Sequence, residues 1–394
     1  MKIDTASYKL KETKQIEKAA LFVGAVGLAL IFLGYYSNPN QFFYSYLTAY
    51  TFWITIGLGG LFLTMLHHLS GAVWSVVLRR IIEAIMKTLP IMAILFIPVG
   101  FGIHSLYHWS HTDLVANDAV LQKKSLYLNQ GFFLARTLFY FLIWFLLSRT
   151  LHKVSIEQDE AFDASQIRKM RKVSAYGMIL FGLTVTFAGF DWLMSLDAHW
   201  YSTIFGVYFF AGSLVAIISF LILVSLFLGS KAILSDIITV EHYHDLGKLL
   251  FAFTVFWAYM AFSQYFLIWY ANIPEETIWF MHRWEGSWKI VTMILVLGHF
   301  VVPFFALIIR GTKRNLRILG IMAVWMLVMH WVDLYWIVLP SLDHHGVHLS
   351  WMDAAGVIGI GGVFVRIFIR RLKADPIIPI NDPSLQNSIN FINS

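Results

Sequence analysis

The chain has 394 residues, 58% of them hydrophobic and 13% charged, with a formal charge of +6 and no cysteine. So apolar a composition excludes an ordinary soluble domain, in which about a quarter of the residues are charged. The missing thiols exclude disulfides, cysteine-ligated iron–sulfur clusters and covalently attached c-type haem on this chain.

Ten apolar runs follow one another, at residues 19–36, 46–77, 86–108, 131–149, 174–196, 204–228, 248–271, 288–309, 316–338 and 352–370. Most match the ~20 residues that a helix rising ~1.5 Å per residue needs to cross the hydrocarbon core. The sequence therefore predicts an all-α polytopic membrane protein with about ten transmembrane helices. It divides into a tail over 1–18, a membrane domain over 19–371 and a tail over 372–394. Pro376, Pro379 and Pro383 among Asn and Ser make the last tail read as extended and poorly ordered.

Twenty-four of the 29 Lys and Arg residues fall in the first tail and in alternate connections. The positive-inside rule then puts both termini and the 150–173 loop in the cytoplasm. The other side holds only Lys123, Lys124, Arg283 and Lys289, which leaves Arg136, inside the fourth run. Because the basic residues are spread over these connections rather than gathered beside a reading motif, they imply no nucleic-acid partner. The first run is too long for a signal peptide and lacks a small-residue cleavage pattern, so it is expected to remain as the first helix.

A charged side chain at the centre of a membrane helix costs about 2.5 to 3.5 kcal/mol, so each one needs a partner or water. His67 and His68 sit in the second run; adjacent residues diverge by ~100°, so only one can face a cavity squarely. His104 and His108 lie four apart near the end of the third run, and His104 is the better candidate ring-binding ligand. Arg136, early in the fourth run, needs an anion, water or a snorkelling path. Asp191 ends the fifth run. His299 lies in the eighth, where Pro303 frees its carbonyl and predicts a kink. His330 and Asp333 stand at i and i+3 in the ninth, a pair suited to a proton relay, a quinone-ring contact or a plain interhelical hydrogen bond. Ordered by depth, Asp191, Asp333 and His330 predict an outer hydrated path that His67 and His299 continue inward. The loops around 190–203 and 269–286 gather acids, imidazoles and indoles. Asp197, His199, Glu275, Glu276 and Arg283 are their candidate partner contacts, with a proton exit at 190–203, capping of the sixth helix by Asp197 or Ser202, and local pairing of Arg283 with the acids as the alternatives.

Three stretches carry a resemblance: DWLMSLDAHWYSTIFGVYFFAG from Asp191, LIWYANIPEET from Leu267 and HHLSGAVWS from His67. With the ten-helix layout, they make the chain resemble the NrfD-like, polysulfide-reductase-C-like membrane subunits, in particular the second such subunit of bacterial alternative complex III. That resemblance implies two four-helix bundles with flanking helices, an inner-membrane location and polar half-channels for protons. It implies a complex that oxidises a quinol, often menaquinol, and passes electrons to cytochrome c or a terminal oxidase. The implied partners are a sister NrfD-like subunit, an iron–sulfur subunit and multihaem cytochrome c subunits, which fits a chain without Cys whose own cofactor would be a quinone. In the sister subunit, a quinol pocket joins a His near the end of helix three to an acid at the start of helix four. His104 matches the first; Leu128-Asn129-Gln130-Gly131 offers no acid, and Arg136 follows. A proton-pathway or scaffold role therefore gains on quinol oxidation, with His104 and Arg136 as the residues a quinone site would use. No catalytic residue and no metal ligand is assigned, and the chain is expected to act within a complex rather than alone. Two other readings stay open: a stand-alone transporter, given Pro98 and Pro303, and a b-haem carrier with His104, His299 or His330 as axial ligands.

Overall fold

The computed structural model describes residues 9–10, 13–161, 163–231 and 234–393; Lys2 and Lys11 of the basic first tail lie outside the described residues. Ten of its helices are long and apolar enough to cross a membrane: α1 (Lys14–Ser37), α2 (Pro39–Ser70), α3 (Trp74–Phe101), α4 (Gln130–Glu160), α5 (Ala164–Leu196), α6 (Phe205–Ser230), α7 (Val240–Ala271), α8 (Trp288–Ile308), α9 (Leu316–Ser341) and α10 (Trp351–Ala374). The chain is an all-α, multi-pass membrane protein.

Local chemistry sets the breaks. Asn38 is extended and its side chain accepts from the Gln41 N–H, while Pro39 occupies the first turn of α2, so α1 and α2 are separated by a single residue. Gly71, at φ 62°, ends α2 in the left-handed conformation. Residues 74–77, expected in the second helix, instead open α3 as a tight 3-10 turn. Pro90 and Pro98 each stand in the first turn of a new segment of α3, which is therefore built in short pieces. The expected 150–173 loop is a tight hairpin: α4 continues to Glu160, and Asp163 caps α5 in a capping box with Gln166.

Helices α2 to α5 pack as one group and α6 to α9 as a second, joined where α2 meets α6 and α9 and where α5 meets α6. The flanking helices α1 and α10 pack mainly on each other and on α2. Their contact is backbone on backbone. A Cβ added at Gly27 would lie 2.5 Å from the Gly359 nitrogen, and one at Gly362 would lie 2.4 Å from Gly24 Cα. In lipid, where apolar contact gives no net drive for helix association, small residues that let backbones meet are what hold such a pair.

Two expectations for the face carrying the chain ends need correction. Arg79 and Arg80, read as loop residues, are 2% and 3% exposed within α3. The tail after 372, read as poorly ordered, packs here and partners Arg79. Arg79 donates to Asp382 at 2.5 Å and to Gln158 at 3.0 Å, while Arg80 bonds Asp159 and Glu83, the latter at 2.9 Å. Glu83 also accepts from the Ser155 hydroxyl at 2.6 Å. Ile377 and Ile378 are fully buried, and Ser388 donates to the Trp74 carbonyl at 2.9 Å. Buried arginines need counter-charges, and the tail supplies one of them.

Gly27→Ala should destabilise the protein by about 1 to 3 kcal/mol through overpacking. Gly182→Ala, where an added Cβ meets nothing within 4 Å, should leave thermal unfolding in detergent unchanged or slightly raised. Equal midpoints for the two variants would contradict the backbone contact between α1 and α10.

Candidate functional site

His330 and Asp333 share one face of α9, turned into the protein among α2, α6, α7 and α8. Asp333 is 2% exposed and accepts two hydrogen bonds, from the Tyr208 hydroxyl of α6 at Oδ1 and from the Trp257 indole of α7 at Oδ2, the second at 3.1 Å. Thr55 of α2 lies 3.0 Å from His330 Nε2. The Thr55 hydroxyl already donates to the Phe52 carbonyl at 2.8 Å, so it accepts from His330. That sets the tautomer: Nε2 carries the hydrogen and Nδ1 presents a lone pair. His330 Nδ1 is buried with no hydrogen-bond partner among the described residues, as are both ring nitrogens of His299.

The His299 ring lies against Trp257, tilted by 31°, at 3.7 Å between centroids. It belongs to a π-helical segment of α8, Leu295–Val301, just before Pro303. The kink expected at Pro303 is thus spread into a widened turn, a form common at functional positions. The Trp325 indole takes up the Gly298 carbonyl at 2.7 Å. Gly212 keeps space beside His330, for a Cβ there would come within 3.0 Å of Cε1 and 3.2 Å of Nδ1. One ligand-type atom each from His299, His330 and Asp333 lies within 4.8 Å of the other two. Among the described residues no Lys or Arg pairs with Asp333. A carboxylate so placed needs a proton or an entering cation to offset its desolvation.

The five residues of the expected proton path do not form one route. Asp191 belongs to a different, closed pair. Arg136 meets it with Nε and Nη2, both at 2.9 Å, Tyr140 donates to it at 2.7 Å, and Arg136 Nη1 donates to the Tyr127 carbonyl at 2.8 Å. The Tyr127 and Phe132 rings cover the guanidinium at 3.8 and 4.3 Å. His67 lies at the face of the chain ends, with Nδ1 2.8 Å from the Ser75 hydroxyl, beside a cavity of about 170 Å³ that His68, Arg79, Arg171 and Asp382 also line. Among the described residues no hydrogen bond links His67 to His299 or His330.

The expected quinone pair is likewise apart. Arg136 is committed to Asp191, whereas His104 is exposed and lies tilted against His111 at 3.7 Å between centroids. Of the expected partner contacts, His199 and Glu275 are exposed and Asp197 and Glu276 half-buried. His199 bonds Asp118 at 2.6 Å and holds that carboxyl below its usual pKa. Arg283 is 3% exposed and reaches neither Glu275 nor Glu276. It donates to the carbonyls of Trp279, Trp336 and Ile337 at 2.9, 3.1 and 2.7 Å beneath the Trp279 ring. Burial pulls its pKa down to about 9, so it stays cationic at neutral pH as an internal brace rather than a surface contact.

Sequence reasoning did not single out Thr55, Tyr208, Gly212 and Trp257. Tyr208 lies inside the DWLMSLDAHWYSTIFGVYFFAG stretch, the one signal that could have drawn it in. No protein-family model matches the chain, and no curated protein matches it.

Removing the charge of one partner in a buried pair leaves the other uncompensated. Asp191→Asn should therefore destabilise the fold by about 3 to 5 kcal/mol, and Tyr140→Phe, which removes one of three donors, by about 1 to 3 kcal/mol. Denaturant unfolding of the purified chain checks this, and similar losses for the two variants would show that the pair is not the anchor.

Proposed function

We propose that the chain is the proton-handling membrane subunit of a quinol-oxidising respiratory complex, in the position of the second NrfD-like subunit of alternative complex III. The observation that carries this reading is the cluster of His299, His330 and Asp333: three titratable side chains, each 2% exposed or less, gathered from two helices, with no Lys or Arg paired to the acid among the described residues. Buried titratable groups within membrane helices are costly and mark ion or proton paths. In this reading Asp333 holds a proton, and the lone pair of His330 Nδ1 receives it. Tyr208 and Trp257 steady the carboxylate through each exchange, and His299 is the next acceptor. The division of the helices into two groups of four with a flanking pair supports the same family.

The electron carriers sit on partners: an iron–sulfur subunit, multihaem cytochrome c subunits and a sister NrfD-like subunit that oxidises menaquinol or another quinol, with cytochrome c or a terminal oxidase downstream. The home of the complex is the bacterial inner membrane, with both chain ends cytoplasmic, as the basic bias argues. The closed Arg136–Asp191 pair and the exposed His104 remove the support that a quinone site on this chain drew from those residues. A stand-alone transporter has no comparable support in this cluster.

Asp333→Asn in the complex reconstituted in vesicles should lower protons released per electron several-fold and leave the KM for quinol within about twofold. Unchanged proton release with KM raised several-fold would overturn the proton reading and return the cluster to quinone binding.

A further inference from the structure

We infer that His299, His330 and Asp333 also form a binding site for a borderline divalent metal ion of the zinc class. The set is two imidazoles and one carboxylate, from α8 and α9, whose ligand atoms lie within 4.8 Å of one another. Nitrogen and carboxylate donors of this kind suit Zn²⁺, Fe²⁺ or Cu²⁺ rather than Mg²⁺ or Ca²⁺, which take oxygen ligands.

The surroundings are already those of a ligand shell. Thr55 fixes His330 as the Nε2–H tautomer, which leaves Nδ1 as the donor atom. Tyr208 and Trp257 hold the two oxygens of Asp333 in the way that outer hydrogen bonds orient metal-binding carboxylates. His299 is fully buried with neither nitrogen hydrogen-bonded among the described residues, so a lone pair is available whichever tautomer it takes. These groups present three electron pairs to one small region. A single proton satisfies one of them, or two if shared, whereas a metal ion satisfies all three at once. Gly212 leaves the approach to Nδ1 free of a side chain. Metal bonds of about 2.0 to 2.2 Å require the ligands to draw inward. The π-helical turn carrying His299 is where α8 has backbone slack for that movement.

Metal and proton compete for the same lone pairs, so a bound ion would block the proton exchange proposed above. Binding itself does not rest on that reading and is measured without turnover. The chelator-treated full chain in detergent is titrated with Co²⁺ as a spectroscopic stand-in for Zn²⁺. The expected result is one equivalent of Co²⁺ with visible d–d bands of a low-coordinate nitrogen and oxygen site, bleached by Zn²⁺. His299→Phe should abolish the bands. Tyr208→Phe, which leaves all three ligands in place, should weaken binding about ten- to a hundredfold. Gly212→Ala, whose methyl would crowd His330 Nδ1, should weaken it too, which keeps the test open if His299→Phe does not fold.

The competing sites are surface imidazole pairs, His104 with His111 and His282 with His344, whose rings lie 3.7 and 4.2 Å apart. Bands that survive His299→Phe and Gly212→Ala but vanish in His104→Ala or His344→Ala would overturn the proposal, as would no bands at all. Loss of proton release in Asp333→Asn without Co²⁺ binding would reject the metal site and leave the proton reading standing; the reverse pattern would do the opposite.

Discussion

Inside a bilayer no solvent is present to complete a hydrogen bond, so every deep polar atom has to find its partner within the protein. Three polar groupings answer that constraint differently. Arg136 and Asp191 close on each other, with Tyr140 and the Tyr127 carbonyl filling the remaining positions. Arg79, Arg80, Glu83, Asp159 and Asp382 close as a network of alternating charge. The grouping of His299, His330 and Asp333 stays open, with three ring nitrogens that have no hydrogen-bond partner among the described residues. Closed groupings hold helices together, while an open one is poised to exchange something.

Helix α2 lets the open grouping exist at all. It contacts the first group of helices, the second and α10, and most of its residues are buried. From this central position Thr55 reaches across to His330, so the imidazole in the second group is oriented from the first. The same helix holds α10 through two bonds, Ser45 to Asp353 at 2.5 Å and the Trp53 indole to the Val357 carbonyl at 2.9 Å. The flanking pair, the hub and the cluster therefore form one mechanical unit.

The helices were legible because length and apolarity are local properties, and the i, i+3 spacing of His330 and Asp333 gave their shared face directly. Helix ends were not legible from hydropathy: Gly71, which ends α2, lay inside an expected run, and Asp163, which caps α5, lay inside an expected loop. The charged stretch after 149 read as loop because a helix that continues past the apolar core keeps no hydropathy signal. Arg136 and Asp191 were each recognisable as costly burials, yet their pairing spans 55 residues and no periodicity reports which helix faces which. Tyr208 and Trp257 were hidden for the same reason: an aromatic residue in an apolar run looks like packing until its polar atom is seen against a carboxylate 125 or 76 residues away. The tail misled in the other direction, since two isoleucines and one aspartate are too few to outweigh three prolines.

That tail has a consequence in time. Asp382 stands 303 residues beyond Arg79, the arginine it neutralises. At roughly 5 to 20 residues per second, a ribosome adds that much chain in about 15 to 60 seconds. Throughout that interval α3 is inserted with its guanidinium held only by Gln158 and Glu83, once those are in place. The nascent protein is thus asked to keep a charge waiting while seven more helices are threaded past it, and a segment made after all ten of them completes an ion pair begun in the third.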